Sequence, residues 1–498
     1  MSSTPSPMPS QEPAEPSGLA LNRRSLLRMS AFAGAGALTF PMLTGAARAS
    51  MKAGAVTEAN AATRGHRGRP RSAADLAADR IVASVRRPWF PPRYFPVTDF
   101  GAVGDGTFDC TAAFRGAIQA ASRHGGGHVV VPAGTFFSAA IHLLSHVDLH
   151  LEKGSTILFS QNPDDYYPLV FTRWQGIELM NYSPFIYSYG QSNIAVTGEG
   201  TLNGQADASH WWNWKNLETP SFDQLEQQAD AGVPVSQRVY GNGYNLPPQM
   251  IQPFASDTVL LEGVTVINSP FWHLNPNLCD NVTISGLTIS SSGPNTDGCD
   301  PESCNGVVVE NVTYDTGDDC MAIKSGRDTD GRRVNVPCQN VVVQNCNFAN
   351  GHGGITIGSE MSGGVKNVYA RDLTMNSANL QAGHRIKTNT LRGGYVENTN
   401  VYRVKAGTVG GPLLIIQGNY SDQTGDFPPK VTDINLTDWT VDTCEGVWSI
   451  VGASASDPVG TVTLEDITVT TSTAANSAQY ISDLVVKDVT VGGVEQTG

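Results

Sequence analysis

Residues 305–317 read NGVVVENVTYDTG, two short apolar alternations joined by a small polar step. Similar phrases recur from about Asn193 onward, each with the same change of apolar and polar positions. The others are DTVLLEGVTVINS, DNVTISGLTISSS, QNVVVQNCNFANG, KNVYARDLTMNSA, GGYVENTNVYRVK, VTDINLTDWTVDT, GTVTLEDITVTT and ISDLVVKDVTVGG. The residues taken as equivalent are Val259, Val282, Val307, Val341, Val368, Gly394, Ile434, Val462 and Leu484.

Most steps between these positions are 22 to 28 residues long, with two longer steps of 34 and 40. Short strands at such a period, without a helical period, predict a solenoid in which successive coils stack parallel strands. We therefore expect an all-β fold, a right-handed parallel β-helix. A leucine-rich repeat has a similar period, but its Leu-x-x-Leu-x-Leu phrase is absent, and a β-sandwich would not keep a steady register over nine phrases.

The stretch before the repeats begins VTDFGAVGDGTFDC and predicts a strand, a glycine-rich turn and a helix through about Thr111 to His124. Terminal coils of a solenoid need a cap against edge pairing. We expect this helix to be the N-terminal cap, and residues 89–498 to form one catalytic domain.

The first 49 residues indicate an export signal. Arg23-Arg24 precede a weakly apolar run from Met29 to Ala47, and Ala47-Arg48-Ala49 has the form of a cleavage site, which is typical of a twin-arginine signal peptide cut after Ala49. The alternative is a transmembrane anchor, and the length of this run is at the lower limit for a membrane span. We expect a disordered N-terminal extension, a flexible basic lead-in over residues 50–88, and export to the periplasm or the exterior without a membrane anchor.

The charge balance limits the partners. A net charge of -14 argues against nucleic acid, whose binding depends on basic patches. The eight cysteines are too few for a disulfide-built scaffold and contain no zinc-type pair. Cys299 with Cys304, or Cys338 with Cys346, are candidates for local bridges, and the spacing does not decide the pairing.

Stacked coils align residues that have the same offset from the repeat position. Asp318 and Asp319 lie 11 and 12 residues after Val307, and His352 lies 11 after Val341. The other candidates are Asp297, 15 after Val282, and the outward pair Arg385 and Lys387, 17 and 19 after Val368. We expect three carboxylates, one imidazole and two cations to converge on neighbouring coils about 5 Å apart.

Hydrolysis of a glycosidic bond needs one acid to protonate the leaving oxygen and one carboxylate to activate water. Crowded aspartates divide these roles, because close negative charges keep one of them protonated. Taken singly, each residue has a simpler interpretation: Asp297 as a turn cap, Asp318-Asp319 as a calcium site, His352 as a loop residue and Arg385-Lys387 as a solvated face. Their shared register favours a catalytic site.

Four phrases in this order, NTD (Asn295 to Asp297), GDD (Gly317 to Asp319), GHG (Gly351 to Gly353) and RIK (Arg385 to Lys387), resemble the motif set of the polygalacturonases, glycoside hydrolase family 28. The resemblance implies a pectin-lyase-like β-helix that hydrolyses α-1,4-linked galacturonate with inversion and without a cofactor or metal. It further implies the following roles: Asp318 as general acid, Asp297 and Asp319 as activators of water, His352 as an aid to the acid, Arg385 and Lys387 as ligands of the substrate carboxylate, and Asn295 and Tyr420 as substrate contacts.

The phrases DPESC, SGRD and GSEMSGG look most like the exo-acting branch of that family. Two segments, LFSQNPDDYYPLVFTRWQGIELMNYSPFIYS and WWNW, are candidates for loops that close one end of the groove. The remaining alternatives are an endo-polygalacturonase, a rhamnogalacturonan or xylogalacturonan hydrolase, a calcium-dependent pectate lyase and a non-catalytic glycan-binding β-helix. We expect a monomer that acts on an acidic polysaccharide.

Overall fold

The computed structural model describes residues 71–498. The predicted export signal and residues 50–70 of the predicted lead-in lie outside these residues. Within them the structure has four α-helices: α1 (Ala73–Ser84), α2 (Thr111–Arg123), α3 (Thr219–Asp230) and α4 (Asp328–Val334). No helix among the described residues is long and apolar enough to cross a bilayer.

Nearly all strands pair in parallel with strands of the neighbouring coils, as in a solenoid, and two faces of each coil belong to one main sheet. The main sheet contains the following strands: Tyr94–Pro96, Asp105–Asp109, Gly127–Val131, Gly134–Ser138, Val147–Leu151, Ser155–Phe159, Ser192–Gly198, Thr201–Asn203, Asp257–Glu262, Thr265–Ile267, Asp280–Ser285, Thr288–Ser291, Asn305–Glu310, Thr313–Thr316, Cys338–Gln344, Asn347–Asn350, Val365–Ser377, Tyr395–Val409, Lys430–Cys444, Val459–Ser472, Ile481–Val491 and Val494–Glu495.

The third face begins with a three-stranded sheet of Ile141–His142, Ile186–Tyr189 and Ile251–Phe254. It continues as a six-stranded sheet, here named the groove sheet: Met321–Ile323, Gly353–Gly358, Ala382–Lys387, Leu414–Gln417, Trp448–Val451 and Ser477–Gln479. A separate antiparallel hairpin joins Val170–Trp174 to Ile177–Asn181. The expected all-β parallel β-helix is confirmed.

The predicted register holds at eight of the nine repeat positions. Val282 pairs with Val259 and Val307, and Val341 pairs with Val307 and Val368, as expected. The assignment of Gly394 is wrong, because Thr399 pairs with Val368 and with Ile434. A buried polar threonine occupies the repeat position there, while Gly394 lies in the preceding turn with φ +74°, so apolar alternation alone misplaced the coil by five residues.

Asparagines fix the corners of the coils. Asn340, Asn367 and Asn398 all have φ +57°, a left-handed conformation that asparagine tolerates better than most residues. Their side-chain amides form a ladder: Asn340 donates to Asn305 at 2.8 Å, Asn367 to Asn340 at 3.0 Å and Asn398 to Asn367 at 2.9 Å. Each corner therefore bonds to the corner of the coil before it.

The N-terminal region differs from prediction in one respect. Helix α2 packs on the first coils, and its buried side chains include Phe114 and Ile118, as expected of a cap. A flexible lead-in is wrong for residues 73–84, which form α1. The alanine-rich helix begins at a capping box between Ser72 and Asp75 and buries Ala78 against Val342, Tyr369 and Tyr402. The basic stretch before it masked this helical pattern.

All eight cysteines are buried free thiols in the described residues, so neither candidate bridge is formed. They belong to the apolar interior, where a thiol packs as a small hydrophobic group.

Candidate active site

The three predicted aspartates meet at one corner of the solenoid. One carboxylate oxygen from each of Asp297, Asp318 and Asp319 lies within 4.8 Å of the others. The coils are held in this register by backbone bonds: the amide of Gly298 donates to the carbonyl of Asp319 at 2.9 Å, and the amide of His352 donates to that of Asp318 at 2.9 Å. The three aspartates therefore lie together on neighbouring coils.

Two motif glycines allow this close approach. A Cβ on Gly317 would lie 2.2 Å from the carbonyl oxygen of Gly293, on the coil before. A Cβ on Gly353 would lie 2.7 Å from Oδ1 of Asp319. Both positions require glycine because neighbouring coils leave no space for a side chain.

His352 faces Asp318, with Nδ1 3.2 Å from Oδ1. The hydrogen bond to Asp318 raises the pKa of His352 above its usual value. Burial acts to raise the pKa of Asp318, but the His352 hydrogen bond and the charge of Lys387 outweigh it, and the pKa is lowered to about 2. The pair therefore holds its proton on the imidazole in the unliganded site.

Lys387 bonds to Asp319 rather than projecting free. Its Nζ lies 2.6 Å from Oδ2 of Asp319, which is fully buried. Burial opposes the charge on Lys387, but Asp319 raises the lysine pKa above its usual value. A metal ion bound by the three aspartates would have to compete with this ammonium group for Asp319.

Asp297 has the opposite electrostatic environment from Asp318. Its pKa is raised well above the usual value, first by burial and then by the negative charges of Asp300 and Asp318. Asp300, also fully buried, has a raised pKa for the same first reason, although Lys324 lies 3.5 Å away and opposes it. Burial, with repulsion from neighbouring carboxylates, favours a protonated carboxyl group in this cluster, and in the unliganded site that group is Asp297.

Arg385 is held without a carboxylate partner among the described residues. Its Nε and Nη2 donate to Oε1 of Gln417 at 3.1 and 2.9 Å, and its Nη1 donates to Oε1 of Gln381 at 3.1 Å. The ring of Tyr420 lies 5.9 Å from the Arg385 guanidinium carbon and 5.7 Å from Lys387 Nζ. Neutral amides orient the guanidinium and leave its charge available.

A polar cavity of about 240 Å³ opens beside the aspartates. It is smaller than the roughly 300–1,000 Å³ of sites that hold drug-sized ligands, so it suits the end of a chain. The lining residues that the sequence predicted are Asn295, Asp297, Asp318, Lys387 and Tyr420. The others are Gln175, Lys215, Trp272, Lys324, Arg327, Ser359, Glu360, Arg392, Ser421 and Gln423.

The hairpin that carries Gln175 closes part of this cavity. A Cβ on Gly176, beside Gln175, would lie 2.7 Å from the backbone nitrogen of Arg327, and that nitrogen donates to the Gly176 carbonyl at 3.1 Å. The fully buried Arg173 ties the hairpin to Glu302 at 3.1 Å and bonds across the hairpin to Glu178 at 3.3 Å. The hairpin is thus a fixed wall, and it comes from one of the two segments predicted to form closing loops.

Sequence reasoning assigned no role to the ionic wall of the cavity. Lys324 Nζ lies 2.9 Å from Glu360 Oε2, and Arg327 Nη1 lies 3.2 Å from Glu360 Oε1. Asp300, Arg327 and Glu360 belong to the phrases DPESC, SGRD and GSEMSGG, which were recognised only as exo-like. Charged residues in glycine-rich turns were the available signal, but their offsets do not show that they share a cavity.

Two family models match the chain. "Glycosyl hydrolases family 28" covers residues 236–490, just over half of it, and "Rhamnogalacturonase A/epimerase, pectate lyase-like" covers residues 94–151. A probable polygalacturonase of Vitis vinifera is 29% identical over 391 residues, which cover 75% of this chain and 73% of the relative. An endo-polygalacturonase of Pectobacterium parmentieri is 30% identical over 360 residues, 71% of this chain and 81% of the relative.

Among solved structures, the hyperthermoactive exopolygalacturonase from Thermotoga maritima superposes with a TM-score of 0.80 at 38% identity, over 83% of this chain and 96% of that chain. Its fold, the ordered motifs and the family match agree. This chain is a glycoside hydrolase that belongs to glycosyl hydrolases family 28.

Proposed function

We propose that the protein hydrolyses α-1,4-galacturonosidic bonds of polygalacturonate and removes residues from chain ends. The observation that carries this is the meeting of three carboxylates within 4.8 Å beside a small cavity with a cationic wall. Carboxylates supply acid-base catalysis, and the lysine and arginine side chains suit an acidic sugar. The relatives named as polygalacturonases support the substrate.

Asp318 is proposed as the general acid, although it is ionised in the unliganded site. A bound galacturonate brings a negative charge and removes water, and both changes raise the pKa of a carboxyl group. The proton on His352, 3.2 Å away, then moves to Asp318 and from there to the leaving oxygen. This makes His352 the proton source for the acid.

Asp319 and Asp297 are proposed to hold the attacking water. One water molecule can bond to two oxygens that lie less than about 5.6 Å apart, which is twice the length of a normal hydrogen bond. One carboxylate oxygen of Asp297 and one of Asp319 lie within 4.8 Å of each other. Asp319, paired with Lys387, takes a proton from the water. At the same time the water oxygen bonds to the anomeric carbon and the glycosidic bond breaks. Arg385, with Tyr420 beside it, binds the substrate carboxylate.

We propose inversion, as in the family, although one carboxylate oxygen from each aspartate lies within 4.8 Å of the others. Inverting glycosidases commonly separate their acid and base by roughly 6.5–9.5 Å, and retaining enzymes by about 5–5.5 Å. Proton NMR of the first product from trigalacturonate decides the outcome: the β-anomer at early times supports inversion, and the α-anomer would require a covalent intermediate.

Exo action is supported by the fixed hairpin and by the Thermotoga maritima exopolygalacturonase. The experiment is a digestion of polygalacturonate in EDTA, with products sized during the first few per cent of the reaction. Monomer or dimer alone is expected, and a ladder of oligomers indicates endo action. A calcium requirement with absorbance from unsaturated products would instead identify a lyase.

We also propose export in a folded state through the twin-arginine route, with cleavage after Ala49. The eight buried thiols support it, because a fold without disulfides forms in a reducing cytoplasm. N-terminal sequencing of the exported protein tests this: Ser50 is the expected first residue.

A further inference from the structure

Four residues that line the cavity each have a buried polar atom with no hydrogen-bond partner among the described residues. Three of these atoms are acceptors, Asn295 Oδ1, Asp297 Oδ1 and Gln423 Oε1, and one is a cationic donor, Arg392 Nε. Buried polar atoms in folded proteins are nearly always paired. A ligand with several hydroxyl groups and one carboxylate, the composition of a uronic acid, supplies partners for all four.

The other cations of the cavity are occupied by carboxylates of the protein. Lys324 lies between Glu360 and Asp300, and Lys387 bonds to Asp319. Lys215 bonds to Glu218 at 2.7 Å. Arg327 bonds to Glu360 and, through Nε, to Glu226 at 2.7 Å. These side chains have their charge balanced before any ligand enters.

Arg392 also pairs with a carboxylate, that of Asp328, but it differs in that one of its buried nitrogens has no partner among the described residues. Its side chain is 2% exposed, and Nη1 donates to Oδ2 of Asp328, leaving Nε unpaired. Its backbone amide donates to Oδ1 of Asn389 at 2.8 Å, and its carbonyl accepts a bond from Arg332 at 3.1 Å. The guanidinium is therefore held in place before binding, which lowers the cost of ordering it.

Arg385, whose guanidinium bonds only to neutral amides, does not line the cavity, whereas Arg392 does. The two guanidinium groups thus serve different positions along a bound chain. We propose that Arg392 binds the carboxylate of the terminal galacturonate inside the cavity and so selects free-acid chain ends over methyl-esterified ones. This rests on the proposed hydrolysis of galacturonate chains.

The test compares trigalacturonate with its two singly methyl-esterified forms, one blocked at each terminal residue. For the wild type, kcat/KM falls about 100-fold when the ester is on the end that enters the cavity, because the charge-assisted bond is lost. Arg392→Gln lowers kcat/KM for the free acid by a similar factor, and the ester then costs less than about 3-fold. Arg403→Gln, an equal change of charge outside the cavity, keeps the wild-type preference.

Thermal melting of each variant checks the fold, because Arg392→Gln also breaks the pair with Asp328. If that variant does not fold, Arg392→Lys decides: it keeps the positive charge but lacks Nε, and we expect the preference to narrow about 10-fold. A wild-type preference in either folded variant overturns the proposal. If the wild type cleaves free and esterified ends equally, the inference fails while the proposed function stands; if it cleaves neither, the proposed function itself fails.

Discussion

Two clusters of arginines and carboxylates in this protein use the same chemistry for different ends. The strap cluster joins α1 to the main sheet: Asp75 lies 3.2 Å from Arg371 and 2.9 Å from Arg403, and Arg403 also bonds to Asp372 at 2.7 Å. None of these four side chains has a buried unpaired polar atom among the described residues.

The cavity cluster is more deeply buried and less completely paired. Asp297, Asp319, Asp328 and Arg392 each keep one buried polar atom without a partner, and Asp300 keeps two without a hydrogen bond. Such atoms reduce stability unless a ligand satisfies them. The contrast teaches that ion pairs alone do not mark a functional site. What distinguishes the cluster at the cavity is that its ion-paired residues also keep buried polar atoms unpaired.

The largest effect is expected from Asp318→Asn. Loss of the general acid should lower kcat on trigalacturonate by about 10³-fold or more, while the binding affinity stays near that of the wild type. The matched control is Asp315→Asn, three residues earlier on an exposed side chain that accepts a bond from Ser290 at 3.2 Å. Reducing-end assays and calorimetry measure the two quantities, and wild-type turnover by Asp318→Asn would remove Asp318 from the mechanism.

Lys387→Met should damage both stability and catalysis. Asp319 would keep a buried charge without its partner, which costs about 3–5 kcal/mol in the free energy of unfolding. The double variant Lys387→Met with Asp319→Asn should regain most of that stability, since no charge is left unpaired, yet remain inactive. Denaturant unfolding and kcat measurements separate the effects, and a double variant as unstable as the single one would contradict the role of the pair.

His352→Gln is expected to change the dependence of kcat on pH. The pKa of His352 is raised, so its proton is present at low pH and is lost as the pH rises through that value. The wild-type kcat should therefore fall on the alkaline side, and in the variant this limb should move to lower pH, with kcat about 10-fold lower at its optimum.

The same pair stabilises the fold in a limited pH range. Asp318 contributes above its usual pKa of about 3.9, and its share is lost as the pH falls toward 2. His352 contributes to stability fully below about pH 6.5 and loses its share as the pH rises through its raised pKa.

In the pH profile of kcat, an alkaline limb that does not move in His352→Gln would show that the imidazole does not supply the proton.

The repeat pattern predicted the fold and the catalytic corner because both follow from local rules. Apolar alternation sets the register, and residues at one offset then stack, which brought His352 onto Asp318. Where a buried polar residue occupied the repeat position, at Thr399, the same rule failed. Apolar alternation identifies buried positions by side-chain polarity, so it misses a threonine that packs in the interior.

The cavity wall could not be predicted in this way. Glu360 and Arg327 meet across coils of unequal length, and Gln175 reaches the cavity on a hairpin far earlier in the chain. The sequence also could not predict which aspartate carries the proton. Offsets place Asp297 and Asp318 together, but only burial and the positions of His352 and Asp300 determine which pKa rises.

The smallest effect on catalysis is expected from Asp75→Asn in the strap cluster. The pKa of Asp75 is lowered to about 2: burial opposes this, but the hydrogen bond and charge of Arg403 prevail. The carboxylate therefore stabilises the fold above about pH 3.9, by about 1–2 kcal/mol, and this contribution is lost as the pH falls toward 2.

Unfolding curves at pH 6 and pH 2.5 should show a clear difference between wild type and Asp75→Asn at the higher pH and little at the lower. At pH 6 the kcat/KM on trigalacturonate should be unchanged, because Asp75 bonds to Arg371 and Arg403 within the protein and none of these residues lines the cavity. A tenfold loss of activity in a folded Asp75→Asn protein would mean that strain in the strap reaches the groove sheet through the coils. Paired and unpaired clusters would then no longer separate structure from function in this solenoid.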